Sequence, residues 1–512
     1  MKHLLIALAF LAWSAAGEAH PGPSGPLGAD FPIRAYHLDL RIQVMPMSSL
    51  ETFVRQLHDG GINTLIVEFE GTYPYQQHPL IGNRYAYSPA EIHHLVSYCD
   101  RLGVDVIPLQ QSFGHVEYIL RHERYAALRE DPRDLSQVCP SKVTQDSLLF
   151  SQLYGELAAT FHSRYIHIGC DETHLLGHCP ICRKKAAGEG VSALYFDYVR
   201  MLCNIVIRLG KRPVLWADMA LKYPDAIRTL PKGTVLVDWN YGWSLDHFGD
   251  HRKLVESGYE VWGAPAIRSS PDDFYRTGWE KHIDNIRDFV PQARRLGYRG
   301  IVLTSWSTSG AYSYIYQSEN QLSALYPIRR VYPVTGFRLL IQAFLQSIRQ
   351  TEPLDVTAFV RDYCREWYGF DTTQADKFWD ALKEQGAPSD PGGSAARIDE
   401  LDRAEAAADT LRSFGAPANQ GEFAHYLLMA DIRVAHLRFL EIQAEANASG
   451  ASPDSLPALI ERLRALQVES GPLDERFLEL NKDACYPAEL AEENRWRDFE
   501  VSDLYERLGR SR

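Results

Sequence analysis

The residues with the most chemical content are two adjacent carboxylates, Asp171 and Glu172, which end the run Arg164-Tyr-Ile-His-Ile-Gly-Cys-Asp-Glu172. The first half of that run alternates bulky and β-branched residues like a buried strand, and Gly169 then breaks it. Strand side chains point alternately to opposite faces. Neighbouring acids therefore share one pocket only where the backbone leaves regular geometry, which a glycine permits. Two carboxylates held that close cannot both ionise cheaply, and the pair is expected to split into one anion and one retained proton near neutral pH. An acid beside an anion suits glycosidic cleavage, in which one group protonates the leaving oxygen and another manages positive charge at the sugar. An Asp-Glu pair also caps helices, so the pair alone leaves a structural reading open.

Such a pair needs a frame. Short apolar runs followed by polar loops and amphipathic helices recur along the chain, near Ile33 to Leu40, Asn63 to Phe69, Val104 to Gln110, Tyr165 to Gly169, Pro213 to Ala217, Thr234 to Trp239, Tyr259 to Gly263 and Ile301 to Trp306. Eight strands alternating with helices predict an α/β fold, a (β/α)8 TIM barrel over residues 33–350. An open doubly wound sheet is the rival, but no glycine-rich fingerprint follows the first run. A barrel places its chemistry at the C-terminal ends of its strands. Trp216, Trp239, Trp262 and Trp306 stand at the ends of the fifth to eighth runs, with Tyr241 just beyond the sixth. One such tryptophan is ordinary core, whereas four around one mouth suit the aromatic walls of a sugar site.

The words His167-Ile-Gly-Cys-Asp-Glu172 resemble the signature of glycoside hydrolase family 20, the β-N-acetylhexosaminidases. The resemblance implies a retaining enzyme in which the substrate's own 2-acetamido oxygen is the nucleophile. It implies Glu172 as general acid and base, and Asp171 as the group that orients the acetamido and stabilises its closure to an oxazolinium-like ring. Trp216, Trp239 and Trp306 match the family tryptophans that enclose the acetamido group and floor the sugar site, and Trp262 is kept with them. Arg34, five residues before Asp39, matches an arginine that grips sugar hydroxyls, and a guanidinium fork suits vicinal hydroxyls. His115 in Phe113-Gly-His115 matches a histidine that supports the carboxylates. Glu68 and Glu70 stand where the family has acids.

There are departures. The family tyrosine after the seventh strand is replaced by Ala264-Pro-Ala-Ile-Arg268, which leaves Tyr241 as the nearest substitute, and Trp306 is followed by Ser307 and Thr308 rather than by an acid two residues on. A barrel-first chain with a helical tail is most similar to the hexosaminidase D-like branch.

Outside the barrel, Met1-Lys-His3, an apolar run from Leu4 to Trp13 and small residues up to Ala19 have the shape of a cleaved secretory signal over residues 1–19, and export is expected, to the periplasm or the exterior. The apolar run is too short to span a membrane, which takes about 20 residues. Residues 20–32 form a Pro/Gly-rich linker. Residues 351–512 turn to charged, Ala/Leu-rich segments with helical spacing, an α-helical C-terminal domain that packs on the barrel or forms a homodimer surface. A net charge of −13 argues against nucleic acid or anionic membrane as a partner and is compatible with an N-acetylhexosamine-containing glycan.

No cofactor and no metal are expected for the reaction. Of the eight cysteines, Cys179-Pro-Ile-Cys182 has the spacing of half a zinc site, with Cys170, His174 and His178 just upstream. A second pair at matching spacing is missing, so zinc, a local disulfide and free thiols all stay open. Two functional rivals also stay open: a catalytically inactive sugar-binding barrel, and a conventional glycosidase using Glu172 with Glu68 or Glu70.

Overall fold

The computed structural model describes residues 30–307, 330–386, 394–415, 417–448 and 455–510. The expected signal sequence, the linker up to residue 29 and Thr308 lie outside them. Nine strands are present among the described residues: β1 Ile33–Asp39, β2 Thr64–Glu68, β3 Asp105–Leu109, β4 Tyr165–His167, β5 Arg212–Trp216, β6 Val235–Trp239, β7 Glu260–Ala264, β8 Ala266–Arg268 and β9 Gly300–Ser305. Each pairs in parallel with the next around a ring, from β1 through β7 to β9, and β9 returns to β1 over Ile33↔Gly300 to Leu38↔Ser305. The result is a closed eight-stranded parallel barrel, with β8 added on the β9 edge after Pro265.

The strands are nearly continuous apolar runs because both of their faces are buried. Inward residues fill the barrel with Ala35, Ile66, Ile107, Leu109, Val214, Val237 and Val302. Outward residues pack on the surrounding helices. The helix Pro89–Leu102 shows how locally these elements are written: Ser88 caps it, Pro89 opens it, and Glu91 returns a carboxylate to the Ser88 N–H at 2.8 Å.

One detail differs from the sequence expectation. The stretch Ala264 to Arg268, read as a departure near the site, is the junction of β7 and β8. Arg268 is buried there, donating to Ser305 Oγ at 2.8 Å, Gln43 Oε1 at 2.8 Å and the Tyr332 carbonyl at 3.0 Å, so it is a structural clamp. Beyond the barrel, the helices Val356–Tyr368, Thr372–Gly386, Ser394–Ser413, Gln420–Ala448, Leu456–Asn481 and Pro487–Arg510 follow one another. They lie against the barrel through contacts such as Trp279 Nε1 to Gln385 Oε1 at 3.2 Å and the stacked rings of Tyr275 and His436. Among the described residues no single helix is long and apolar enough to cross a membrane.

Candidate active site

β4 stops at His167 because the chain then turns sharply: Gly169, Cys170 and Glu172 have φ of 67°, 74° and 48°. A Cβ on Gly169 would meet the Gln111 side-chain oxygen at 1.8 Å, so position 169 requires glycine on steric as well as conformational grounds. Positive φ at two non-glycine residues is strained and persists only where surroundings over-determine it. Here they do. Tyr195 Oη donates to the Cys170 carbonyl at 2.8 Å, the Glu172 N–H donates to Asp218 Oδ2 at 3.1 Å, and the Trp216 N–H donates to the Gly169 carbonyl at 3.1 Å.

The turn brings both carboxylates to one side. His115, on the loop after β3 and itself at φ 55°, has Nε2 3.4 Å from Asp171 Oδ2 and 3.2 Å from Glu172 Oε2. Gly114 lets that loop approach, since a Cβ there would meet the Asp171 carbonyl oxygen at 2.5 Å. Asp171 is nearly buried and its Oδ1 has no partner, whereas the Glu172 side chain is 37% exposed.

The charges differ from the simple split expected of a carboxylate pair. Burial works to lower His115, but Asp171 and then Glu172 outweigh it and raise the imidazole well above its usual value. Burial works to raise Glu172, yet the His115 hydrogen bond and charge, with His174 behind them, bring its carboxyl below the ordinary range. These shifts favour a protonated ring beside an ionised Glu172 in the free protein. A carboxyl held near neutrality beside the pair is Asp218, which burial and then the nearby Asp171 push up to about 7.

Aromatic rings close the other sides. Trp216 lies 5.9 Å from Trp306 between ring centroids, Tyr241 lies 4.9 Å from Trp239 and 6.3 Å from Trp306, and Trp243 adds a further wall 5.8 Å from Trp239. Asn240 shapes that loop by accepting the N–H groups of Gly242 and Trp243 at 3.0 and 3.2 Å. Thus His115, Asp171, Glu172, Trp216, Trp239, Tyr241 and Trp306 gather at the C-terminal mouth.

Two expected members do not. Trp262 is fully buried in the barrel interior, edge-on to Tyr165 at 5.1 Å and bonded to Glu260 at 2.9 Å, against Gly300 at the start of β9; it packs the lower barrel. Arg34 lies at the start of β1, the opposite end from the acids. Its guanidinium donates to the carbonyls of Gly61 at 2.8 Å and Phe31 at 3.0 Å, so it braces the barrel floor and does not reach a ligand at the mouth.

The arginine at the mouth is Arg41, past the end of β1. It donates two bonds of 3.0 Å to Asp39, lies 3.8 Å from Glu68 and sits over Trp306, 5.5 Å from the ring centroid. Burial alone would raise Asp39, but Arg41 holds its carboxyl down at about 2. Glu68 is likewise committed, to His37 Nε2 at 3.0 Å, and burial drives Glu70 well above the carboxylate range. Neither has the freedom of Glu172. Arg41, Asp218 and Trp243 are the residues sequence reasoning passed over, and the signal was present: each lies just beyond a strand's C-terminal end.

A model of the glycosyl hydrolase family 20 catalytic domain matches residues 67–298. Hexosaminidase D of Bos taurus is 29% identical over 294 residues, covering 54% of this chain and 84% of that one. Hexosaminidase D of Homo sapiens is 28% identical over 301 residues, covering 55% of this chain but only 62% of that one, under two thirds of its length. A solved β-N-acetylhexosaminidase from Bacteroides fragilis NCTC 9343 aligns with a TM-score of 0.45 at 17% identity, over 59% of this chain and 67% of that one. The acid pair, on the turn after the fourth strand of the closed barrel, falls inside the stretch 67–298 that is similar to the glycosyl hydrolase family 20 catalytic domain.

Proposed function

We propose that the protein is a retaining β-N-acetylhexosaminidase that releases terminal β-linked GlcNAc or GalNAc by substrate-assisted catalysis, and that it is exported under its N-terminal apolar run. The observation that carries the reading is the placement of Asp171 and Glu172 on one side of His115, at a mouth walled by Trp216, Trp239, Tyr241 and Trp306. The unpartnered Asp171 Oδ1 suits an acetamido N–H, while the more exposed Glu172 suits the glycosidic oxygen. Arg41 and Asp39 sit beside Trp306, where a sugar's outer hydroxyls would fall.

In the first step the acetamido carbonyl oxygen attacks C1. The C1–O bond breaks with its electron pair moving to the leaving oxygen, which takes the Glu172 proton. A bound sugar displaces water from Glu172, and that desolvation raises its pKa toward the protonated form the step requires. The Asp171 carboxyl, beside the acetamido group, favours positive charge on the closing ring. In the second step Glu172 takes a proton from water as the water oxygen attacks C1, the ring opens, and the β configuration is restored.

The test is a panel of chromogenic β-glycosides with and without the 2-acetamido group. Hydrolysis confined to N-acetylhexosaminides is expected. Equal turnover of plain glucosides or galactosides would favour two enzyme carboxylates instead, and N-acetylhexosamine binding with no aglycone release would favour an inactive barrel.

A further inference from the structure

One loop away from the acid pair lies a cluster that the proposed reaction does not use. Glu130, Cys139, Cys179 and Cys182 each offer one ligand atom, all within 4.8 Å of one another. Segments distant in sequence assemble it. Residues 129 to 139 fold back on themselves through an antiparallel bridge between Arg129 and Val138, with the Glu130 N–H on the Gln137 carbonyl at 3.1 Å and the Cys139 N–H on the Leu128 carbonyl at 2.7 Å. That hairpin sets Glu130 beside Cys139. The Cys179-Pro-Ile-Cys182 turn opens the ten-residue helix Pro180–Glu189, and the Cys182 N–H donates to Cys179 Sγ at 3.3 Å.

The spacing of the sulfurs is informative. Cys139 Sγ lies 3.5 Å from Cys179 Sγ and 3.7 Å from Cys182 Sγ. Tetrahedral zinc with Zn–S bonds of about 2.3 Å separates its sulfurs by about 3.8 Å. A disulfide brings two sulfurs to about 2.05 Å. Three sulfurs also cannot pair off: any bridge would leave a third thiol beside it, and Cys139 and Cys182 are both fully buried.

The fourth donor is the independent sign of a cation. Glu130 is buried; one of its oxygens accepts the Cys179 N–H at 2.9 Å, but Oε2 has no hydrogen-bond partner. A buried carboxylate oxygen left unpaired is costly unless something positive meets it.

We propose that Glu130, Cys139, Cys179 and Cys182 form a structural zinc site. Soft thiolates select zinc over magnesium or calcium, and four protein ligands close the coordination sphere, as in structural rather than catalytic sites. Three thiolates and a carboxylate exceed the ion's charge. The Cys182 N–H, the Ser141 hydroxyl 2.9 Å from Cys139 Sγ and the positive end of the helix Pro180–Glu189 offset the excess. The ion would tie together the two loops of the candidate active site. The Val138 N–H donates to the Phe113 carbonyl at 3.1 Å, two residues from His115, and the Leu175 N–H donates to Gln137 Oε1 at 2.9 Å, three residues from Glu172.

The test uses the full chain, purified under reducing conditions without chelator. Elemental analysis is expected to find about one zinc per chain. Replacement by cobalt(II) is expected to give thiolate-to-metal charge-transfer absorption that weakens in Cys182→Ser. Glu130→Gln keeps all three thiols and is expected to bind zinc at least about tenfold more weakly in competition with a chromophoric chelator, a readout that needs no activity. Folded wild-type protein that holds no zinc and gives no charge-transfer band on cobalt titration would overturn the proposal. So would a Cys139–Cys179 or Cys139–Cys182 disulfide found by mass spectrometry in protein purified without reductant.

Discussion

At the scale of single residues, the arrangement turns on one histidine ring placed between two acids. His115 lowers the Glu172 carboxyl in the free protein, so in the proposed mechanism Glu172 becomes an acid only when a sugar excludes water from it. Replacing Glu172 with Gln removes the proton donor and leaves the backbone bonds of the turn intact. Turnover should fall by about 10² or more on a substrate with a poor leaving group. The loss should be smaller on an activated aryl glycoside, whose departing oxygen needs less help. Equal losses on the two substrates, from steady-state kcat values, would remove Glu172 from the acid role.

At the scale of elements, the helix Val143–Thr160 backs the barrel behind β4 and buries Asp146 completely. Burial pushes that carboxyl up to about 8, and the Tyr198 hydroxyl only partly offsets it. The folded-state pKa is raised above the unfolded value of 3.8. The stabilising contribution is therefore complete below that value and is lost as pH climbs through the folded pKa, by at most about 1.4 kcal/mol per pH unit. Asp146→Asn abolishes the titration. Compared by thermal unfolding at pH 5 and pH 8, the variant should gain on the wild type at the higher pH; a Tm difference that stays constant would show that Asp146 does not titrate in this window.

At the scale of the molecule, the last helix holds the loop that carries Arg41. Glu489 accepts the Val44 N–H at 2.5 Å, and Glu493 accepts Gln43 Nε2 at 3.2 Å and Arg330 Nη1 at 3.2 Å. Gln43 in turn receives Arg268, so one buried chain of bonds links the helix Pro487–Arg510 to the β1 and β8 ends of the barrel. Glu493→Ala strips Arg330 of its buried partner, leaving Glu492 at 3.4 Å. It should cost about 3 kcal/mol in urea unfolding and raise KM more than it lowers kcat, because the Arg41 loop loosens while the acid pair does not. Unchanged stability and KM together would mean that the helical region does not brace the mouth.

The strand period, the acid pair and the tryptophans at strand ends were legible because each is local: alternation marks a buried strand, and a parallel barrel puts chemistry where its strands end. Gly169 announced the turn in the same way. What tertiary structure alone decided depends on which distant groups meet. Arg34 and Arg41 flank the same strand, and only its run from the barrel floor to the mouth assigns the first to bracing and the second to the site. Trp262 closes its apolar run in the sequence much as Trp216 and Trp239 close theirs, but β7 runs on to Ala264 and pairs Trp262 with Val237, so the ring lies mid-strand, too deep in the barrel to face a ligand, a matter of register that no single segment records. The location of the proton was likewise hidden, since His115 is more than fifty residues from Glu172 in sequence. Cys139 and Glu130 complete the half-site at Cys179 and Cys182 from a hairpin some forty residues upstream, because side chains meet through the closure of the barrel and not through spacing along the chain.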